Sequence, residues 1–313
     1  MLLVITYASV AVFLAAIAWK AARIARLPIH LRWELYPVAH EKGRASYGGS
    51  YLEEPDWWTK PRESSLIGEL KVMIPEILLL AAVWEHNRKH WFRSFPFHFG
   101  LYLLAGLIGL LLLGGIAVAA GADVSATGGP IAAALYHLTY LAGYAGLGLG
   151  LIGAMALLAR RMLDDDYREY TKKADFFNLG FFVVTFLVAL AAHTLADPDF
   201  ATLRDYFTRL VTLNLSSVKL APPTGLVAFE IVLASLLLAY IPLTHMSHFF
   251  AKWFTYHHVR WSDEPNLRGG KIEQQVNEAL QYPVSWSAPH IRGDGKKNWV
   301  DVATAGVEEE NEE

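Results

Sequence analysis

The chain contains no cysteine. That absence excludes disulfides, thiolate-held iron–sulfur clusters and thioether-attached haem within its 313 residues. Charge is scarce as well: Asp, Glu, Lys and Arg together make up 18%, with a net charge of −3. No basic, aromatic-rich stretch marks a nucleic-acid surface, so no nucleic-acid partner is expected. A basic N-terminal start is also missing. The first basic residue, Lys20, follows the first apolar run, which therefore reads as a retained helix and not as a secretory signal. No internal repeat is visible, and an acidic end at Glu308–Glu313 is the one low-complexity run.

Long apolar runs are abundant. The chain is 54% hydrophobic with a mean hydropathy of +0.27. Five stretches, 2–19, 99–120, 131–158, 176–195 and 225–243, each approach or exceed the roughly 20 residues that a hydrocarbon core demands. The pattern predicts an all-α membrane protein, a bundle of five transmembrane helices. Basic residues set its orientation. Lys20, Arg23 and Arg26 follow the first run, and Arg160, Arg161, Arg168, Lys172 and Lys173 follow the third. The link 121–130 has none, and 196–221 has only Arg204, Arg209 and Lys219. The positive-inside rule then puts the N-terminus outside and the C-terminus in the cytoplasm, in a cytoplasmic (inner) membrane.

Four parts follow: a first helix over 1–26, a cytoplasmic loop over 27–97, a four-helix bundle over 98–250 and a cytoplasmic tail over 251–313. The loop contains an apolar run, 72–83, that Pro75 and Glu76 interrupt. It is too short to span, so an interfacial or re-entrant helix is expected. The link 196–221 is expected to form an amphipathic helix over the bundle. Trp286 and Trp299 stand out in the polar tail as anchors for a partner subunit.

Histidines mark the ends of four runs. An ionisable group at membrane depth is costly unless paired, so each is a functional candidate. His98 opens the second run and His248 follows the fifth, both at the cytoplasmic level. His137 lies 23 residues before Arg160, roughly 34 Å at about 1.5 Å per residue, and therefore near the outer face. His193 closes the fourth run at that same face. Two pairs from different helices suit two stacked b-type haems: His98 with His248 inside, His137 with His193 outside. His245 is three residues before His248 and shares roughly one helix face with it. Gly143, Gly146, Gly148, Gly150 and Gly153 would admit either a flat macrocycle or a neighbouring helix. Arg93 and Lys252 inside, and Arg204 or Arg209 outside, are placed either for haem propionates or as ordinary interfacial anchors. Among the other histidines, His86, His90, His257 and His258 read as surface or headgroup contacts, and His30 and His40 as partner contacts.

A family resemblance rests on Phe97-His98-Phe99-Gly100, Arg160-Arg161 and Ile241-Pro242-Leu243-Thr244-His245-Met246-Ser247-His248. These segments, over about 97–250, resemble the respiratory nitrate reductase gamma subunit. The resemblance implies five helices, two b haems, a quinol site near the outer haem and a role in anaerobic respiration. It favours His98 and His248 as inner ligands. It also shows departures, because the family's outer ligand positions fall on Ile108 and Glu230 and the lysine it carries between helices 2 and 3 has no counterpart in 121–130. The long loop with Arg32-Trp33-Glu34-Leu35-Tyr36-Pro37 and the long tail are more similar to the membrane cytochromes of sulfite-reduction-associated complexes and of membrane-bound heterodisulfide reductase. That likeness implies a cytoplasmic, cysteine-rich iron–sulfur partner.

The expected function is a dihaem cytochrome b subunit that exchanges electrons between the quinone pool and that partner. Its quinol chemistry would lie near the outer face, where Asp123, Asp197 and Asp199 are. Two alternatives stand beside it: a membrane anchor with one haem or none, and a non-redox carrier that relays protons or ions through its histidines.

Overall fold

The computed structural model describes residues 1–27, 41–43, 54–61, 63–214, 220–257, 267–288 and 291–305. His30, His40, the 32–37 segment, Lys219, His258 and the acidic end lie outside the described residues. The chain divides into two compact units, Met1–Ala15 with Met73–Thr244 and Ala16–Val72 with His245–Glu313.

Twelve helices are described: α1 Leu2–Ala25, α2 Leu66–Leu79, α3 Ala81–His86, α4 Arg88–Ala119, α5 Pro130–Leu163, α6 Asp165–Arg168, α7 Lys173–Leu195, α8 Ala201–Val211, α9 Gly225–Tyr240, α10 His248–His257, α11 Lys271–Leu280 and α12 Trp299–Thr304. Among the described residues, five helices are long and apolar enough to cross a membrane: α1, α4, α5, α7 and α9 with its 3₁₀ extension to Leu243. The expected five-span all-α bundle is therefore present.

The first unit is built on the contact between α4 and α5. In lipid the hydrophobic effect does not drive helices together, and small residues that let backbones approach take over that role. A Cβ on Gly100 would lie 2.4 Å from the Gly150 nitrogen, and one on Gly153 would lie 2.3 Å from the Phe97 nitrogen. Gly150 also receives Phe186 of α7, so three helices converge there. Phe97 meets Phe182 edge to face, and Phe186 packs tilted against Phe182, closing this level. Gly146 is filled by Leu104 and Gly143 by the ring of Phe200. Helix packing, and not a cofactor plane, occupies these four glycines. Gly148 has open space.

The expected amphipathic helix over the bundle is α8. It lies across the C-terminal end of α4, its backbone at Thr208 against Gly115 and its Arg204 stem against Gly114. The start of α1 meets it: Thr6 bonds Tyr206 at 2.7 Å and Ser235 at 2.8 Å, and Tyr7 donates to the Leu210 carbonyl. Leu107, Leu111, Ala142, Ala192, Phe200, Leu203, Tyr206, Val227 and Ile231 form one apolar core at this end.

The run 72–83 is split into α2 and α3 at Leu80, which adopts a left-handed φ of 53°. The break orphans the last carbonyls of α2. Two side chains of α4 satisfy them: Trp91 donates its indole N–H to Leu79 O at 2.7 Å and Tyr102 its hydroxyl to Ile77 O at 2.6 Å. Glu76 accepts from the Ala82 amide at the start of α3.

The tail in the second unit is ordered around Val284, which is 1% exposed. A two-residue antiparallel ribbon, β1 Ser287–Ala288 with β2 Ile291–Arg292, sits between α11 and α12. Trp286 and Trp299 pack edge to face at 6.1 Å and both remain exposed.

Gly100→Leu or Gly153→Leu should cost about 1–3 kcal/mol or more by overpacking the α4–α5 contact. Gly148→Ala should be neutral. Thermal unfolding of the detergent-solubilised variants checks the contrast.

Candidate functional site

His98 lies in the third turn of α4, one residue beyond Phe97 and two before Gly100. Those neighbours press on α5, so His98 is turned about 100° away from that contact. Its Nδ1 is 2.8 Å from the Ser94 carbonyl, and the Ser94 hydroxyl is 3.2 Å away. A ring nitrogen facing a carbonyl carries the proton, which puts the lone pair on Nε2. That is the tautomer, and the kind of outer-shell anchor, that a metal-ligating imidazole uses.

His248 is the first residue of α10 and is exposed. The single helix expected to carry it ends earlier. Tyr240 closes α9, Pro242 lies in a 3₁₀ turn, and Thr244 is extended at φ −100° and ψ −176°. His245 follows in a second 3₁₀ turn. The proline and the extended residue interrupt the helix, so 3.6-residue periodicity does not relate His245 to His248. His98 and His248 belong to different units.

His193 has a different environment. It is 0% exposed near the end of α7. Its Nδ1 bonds the Asp197 carbonyl at 2.9 Å, its Nε2 bonds Glu230 Oε1 at 3.1 Å, and its ring stacks on Phe200 at 3.8 Å. Glu230 Oε2 is buried with no hydrogen-bond partner among the described residues. Tyr144 donates to the His193 and Pro198 carbonyls. The Asp197 carboxylate accepts from the Thr202 and Leu203 amides and so caps α8.

His137 does not join this group. Phe200, on which His193 stacks, fills the notch at Gly143. His137 is six residues nearer the N-terminus of α5, about 9 Å along the axis, and is exposed. The Nε2 lone pair of His193 is engaged with Glu230. Counting residues from helix ends fixed the backbone depth only roughly and said nothing of Glu230. No cluster of three or more His, Asp or Glu suited to a metal ion occurs among the described residues.

The cationic candidates also separate. Arg204 is 5% exposed and donates to the Val124 and Asp199 carbonyls at 3.1 and 3.2 Å. Burial lowers its pKa from the ordinary arginine value, with Asp199, Asp205 and Asp197 opposing the shift. Asp205 is held above the usual carboxylate range, chiefly by burial. Arg209 donates to Asn214. Arg93, in contrast, lines a cleft of about 640 Å³ with Arg160 and Asp164–Asp166, at the end of α4 where His98 lies. His90 bonds Arg160 there at 2.8 Å.

Residues 81–262, more than half of the chain, match the nitrate reductase gamma subunit family. The chain belongs to that family. No curated protein and no solved structure matches it. Members are membrane cytochrome b-type electron-transfer subunits of multi-subunit redox complexes that contain catalytic and iron–sulfur subunits, and they bind haem b. The gamma subunit is not itself the catalytic one, so this chain is a subunit of a redox enzyme and not the enzyme. The match includes His98, Ile108, Glu230 and His248.

Glu230 was legible as more than a departure. It is the only Asp or Glu within the five predicted spans, and a buried carboxylate there needs a partner. The nearest ionisable group on the neighbouring span, His193, was that partner.

His193→Leu should leave both Glu230 oxygens buried and unpaired, lowering stability by about 1–3 kcal/mol. The double variant His193→Leu/Glu230→Leu should lose less than the sum of the single losses, as a denaturation cycle in mild detergent would measure. Strict additivity would rule out the coupling.

Proposed function

We propose that this subunit carries electrons between a quinone-type carrier in the lipid and an iron–sulfur subunit on the cytoplasmic side. The observation that supports the reading is the anchored imidazole of His98, its Nδ1 on the Ser94 carbonyl, with Nε2 the nitrogen that would ligate. The anchored imidazole of His98 suits an axial ligand of haem b. His98 would be one axial ligand, and His248, at the place where the family motif has a histidine, the other. Haem b, when bound, supplies one-electron transfer. Arg93, on the same helix and lining a cleft, is the cation suited to its propionates.

The chain's lack of cysteine supports the partner assignment. Electrons leaving the haem toward a catalytic subunit need an iron–sulfur centre on another polypeptide. The loop 27–97 and the tail 261–313 are the docking segments in this reading, with the exposed Trp286–Trp299 pair as anchor. The long loop and tail favour a cysteine-rich partner of the sulfite-reduction-associated or heterodisulfide reductase type. The positive-inside bias places these segments in the cytoplasm and the N-terminus outside, in the inner membrane. In this reading His193, bonded through both ring nitrogens, supplies no axial ligand.

His98→Ala and His248→Ala should each abolish the reduced b-type absorption bands while leaving the chain inserted and folded. Full haem content in either variant would overturn the ligand assignment. Co-purification of an iron-containing companion checks the partner.

A further inference from the structure

We infer that the α8 end of the bundle holds one proton shared between His193 and Glu230 at the place where the family's pattern puts a second haem, so that this chain binds a single haem b. The inference rests on the proposed function for the presence of the first haem and is otherwise carried by the hydrogen bonds.

The Asp197 carbonyl can only accept, so Nδ1 of His193 is the donor in that 2.9 Å bond. Nε2 and Glu230 Oε1, 3.1 Å apart, are then joined by one further proton. Either the carboxylic acid donates to a neutral imidazole, or an imidazolium donates to a carboxylate. Both forms contain the same atoms and carry no net charge. A pair of groups this buried tolerates that state and not an isolated ion. Around the pair, the Asp197 carboxylate is engaged with the first turn of α8 and the Arg204 guanidinium with two carbonyls. Asp199 and Asp205 are further acidic groups of that end, and Tyr144 donates its hydroxyl to the His193 carbonyl. Glu230 Oε2 is buried with no hydrogen-bond partner among the described residues.

An iron would need the same Nε2 lone pair. It would have to displace Glu230, part the His193 ring from Phe200 and recruit a second axial ligand. The family's other ligand position on α4 is Ile108, which cannot ligate. His137 lies six residues before Gly143 on α5, about 9 Å along the helix axis, and is exposed. Leu107, Leu111, Val227 and Ile231 belong to the apolar core at this end.

The test is the ratio of haem b to polypeptide in the purified membrane subunit, with and without its companions. We expect one haem in the wild type, one in His137→Ala, one in Glu230→Gln and none in His98→Ala. His137 is exposed, so its substitution reports on ligation without a folding loss. Two haems in the wild type, or a halved content in His137→Ala, would overturn the inference and leave the proposed function standing. No haem in the wild type would overturn both. Infrared spectra in H2O and D2O should lose one exchange-sensitive carboxyl or imidazolium band in Glu230→Gln. Identical spectra would overturn the shared proton.

Discussion

The backbone contact of α4 with α5 is the constraint on which the other placements depend. Gly100 on Gly150 and Gly153 on Phe97 bring the two longest helices together with no side chain between them. Once that register is set, Phe97 must face α5 and meet Phe182, and His98 must turn out of the contact. The same register carries Gly114 and Gly115 to the end of α4, where α8 lies down on them. A single lipid-phase packing rule, small residues at helix crossings, thus fixes both the exposure of His98 and the closure of the opposite end. In water a core could adjust by hydrophobic repacking. In a bilayer, where apolar surface gains nothing by leaving lipid, shape complementarity has to do the specifying.

Most of the architecture could be read from the residues because the bilayer leaves little choice. Backbone polar groups in hydrocarbon must bond within their own segment, so runs of apolar length become helices. The five spans and the surface helix α8 follow from that. The break at Leu80 and the one between Tyr240 and His248 were less visible. Pro75 suggested where the first interruption would lie, but it remains inside α2, and the break falls five residues later at a leucine in a left-handed conformation. Pro242 sits where a helix was expected to continue, and its missing amide and the extended Thr244 divide His245 from His248.

The histidine environments were the least legible part. Sequence spacing gives depth along one helix, to within a turn or so, and cannot say which groups a side chain meets. His137 and His193 match in depth by counting, but counting could not show that His193 bonds Glu230 through Nε2. Glu230 carried the missing information. An acid alone in an apolar run has to be matched by something, and only three-dimensional neighbourhood reveals what. His98 was read as the start of a helix, but α4 begins ten residues earlier at Arg88, and the Ser94 carbonyl that orients the ring lies one turn back with no sequence signature of its own. The tail likewise looked like isolated tryptophans in a loop, but Val284 and the Pro283–Asn298 bridge give it a small core.

Asp197 serves two masters. Its carbonyl holds the buried imidazole of His193, and its carboxylate holds the first turn of the surface helix α8. One residue's backbone therefore ties a water-facing element to a group deep in the bundle. Linkage is reciprocal: whatever free energy a lipid headgroup or a neighbouring subunit gains by unwinding that turn is charged equally to the imidazole's anchor, and a change at the imidazole is felt at the surface. The short turn between α7 and α8 thus joins the first turn of the surface helix to the buried imidazole through a single residue.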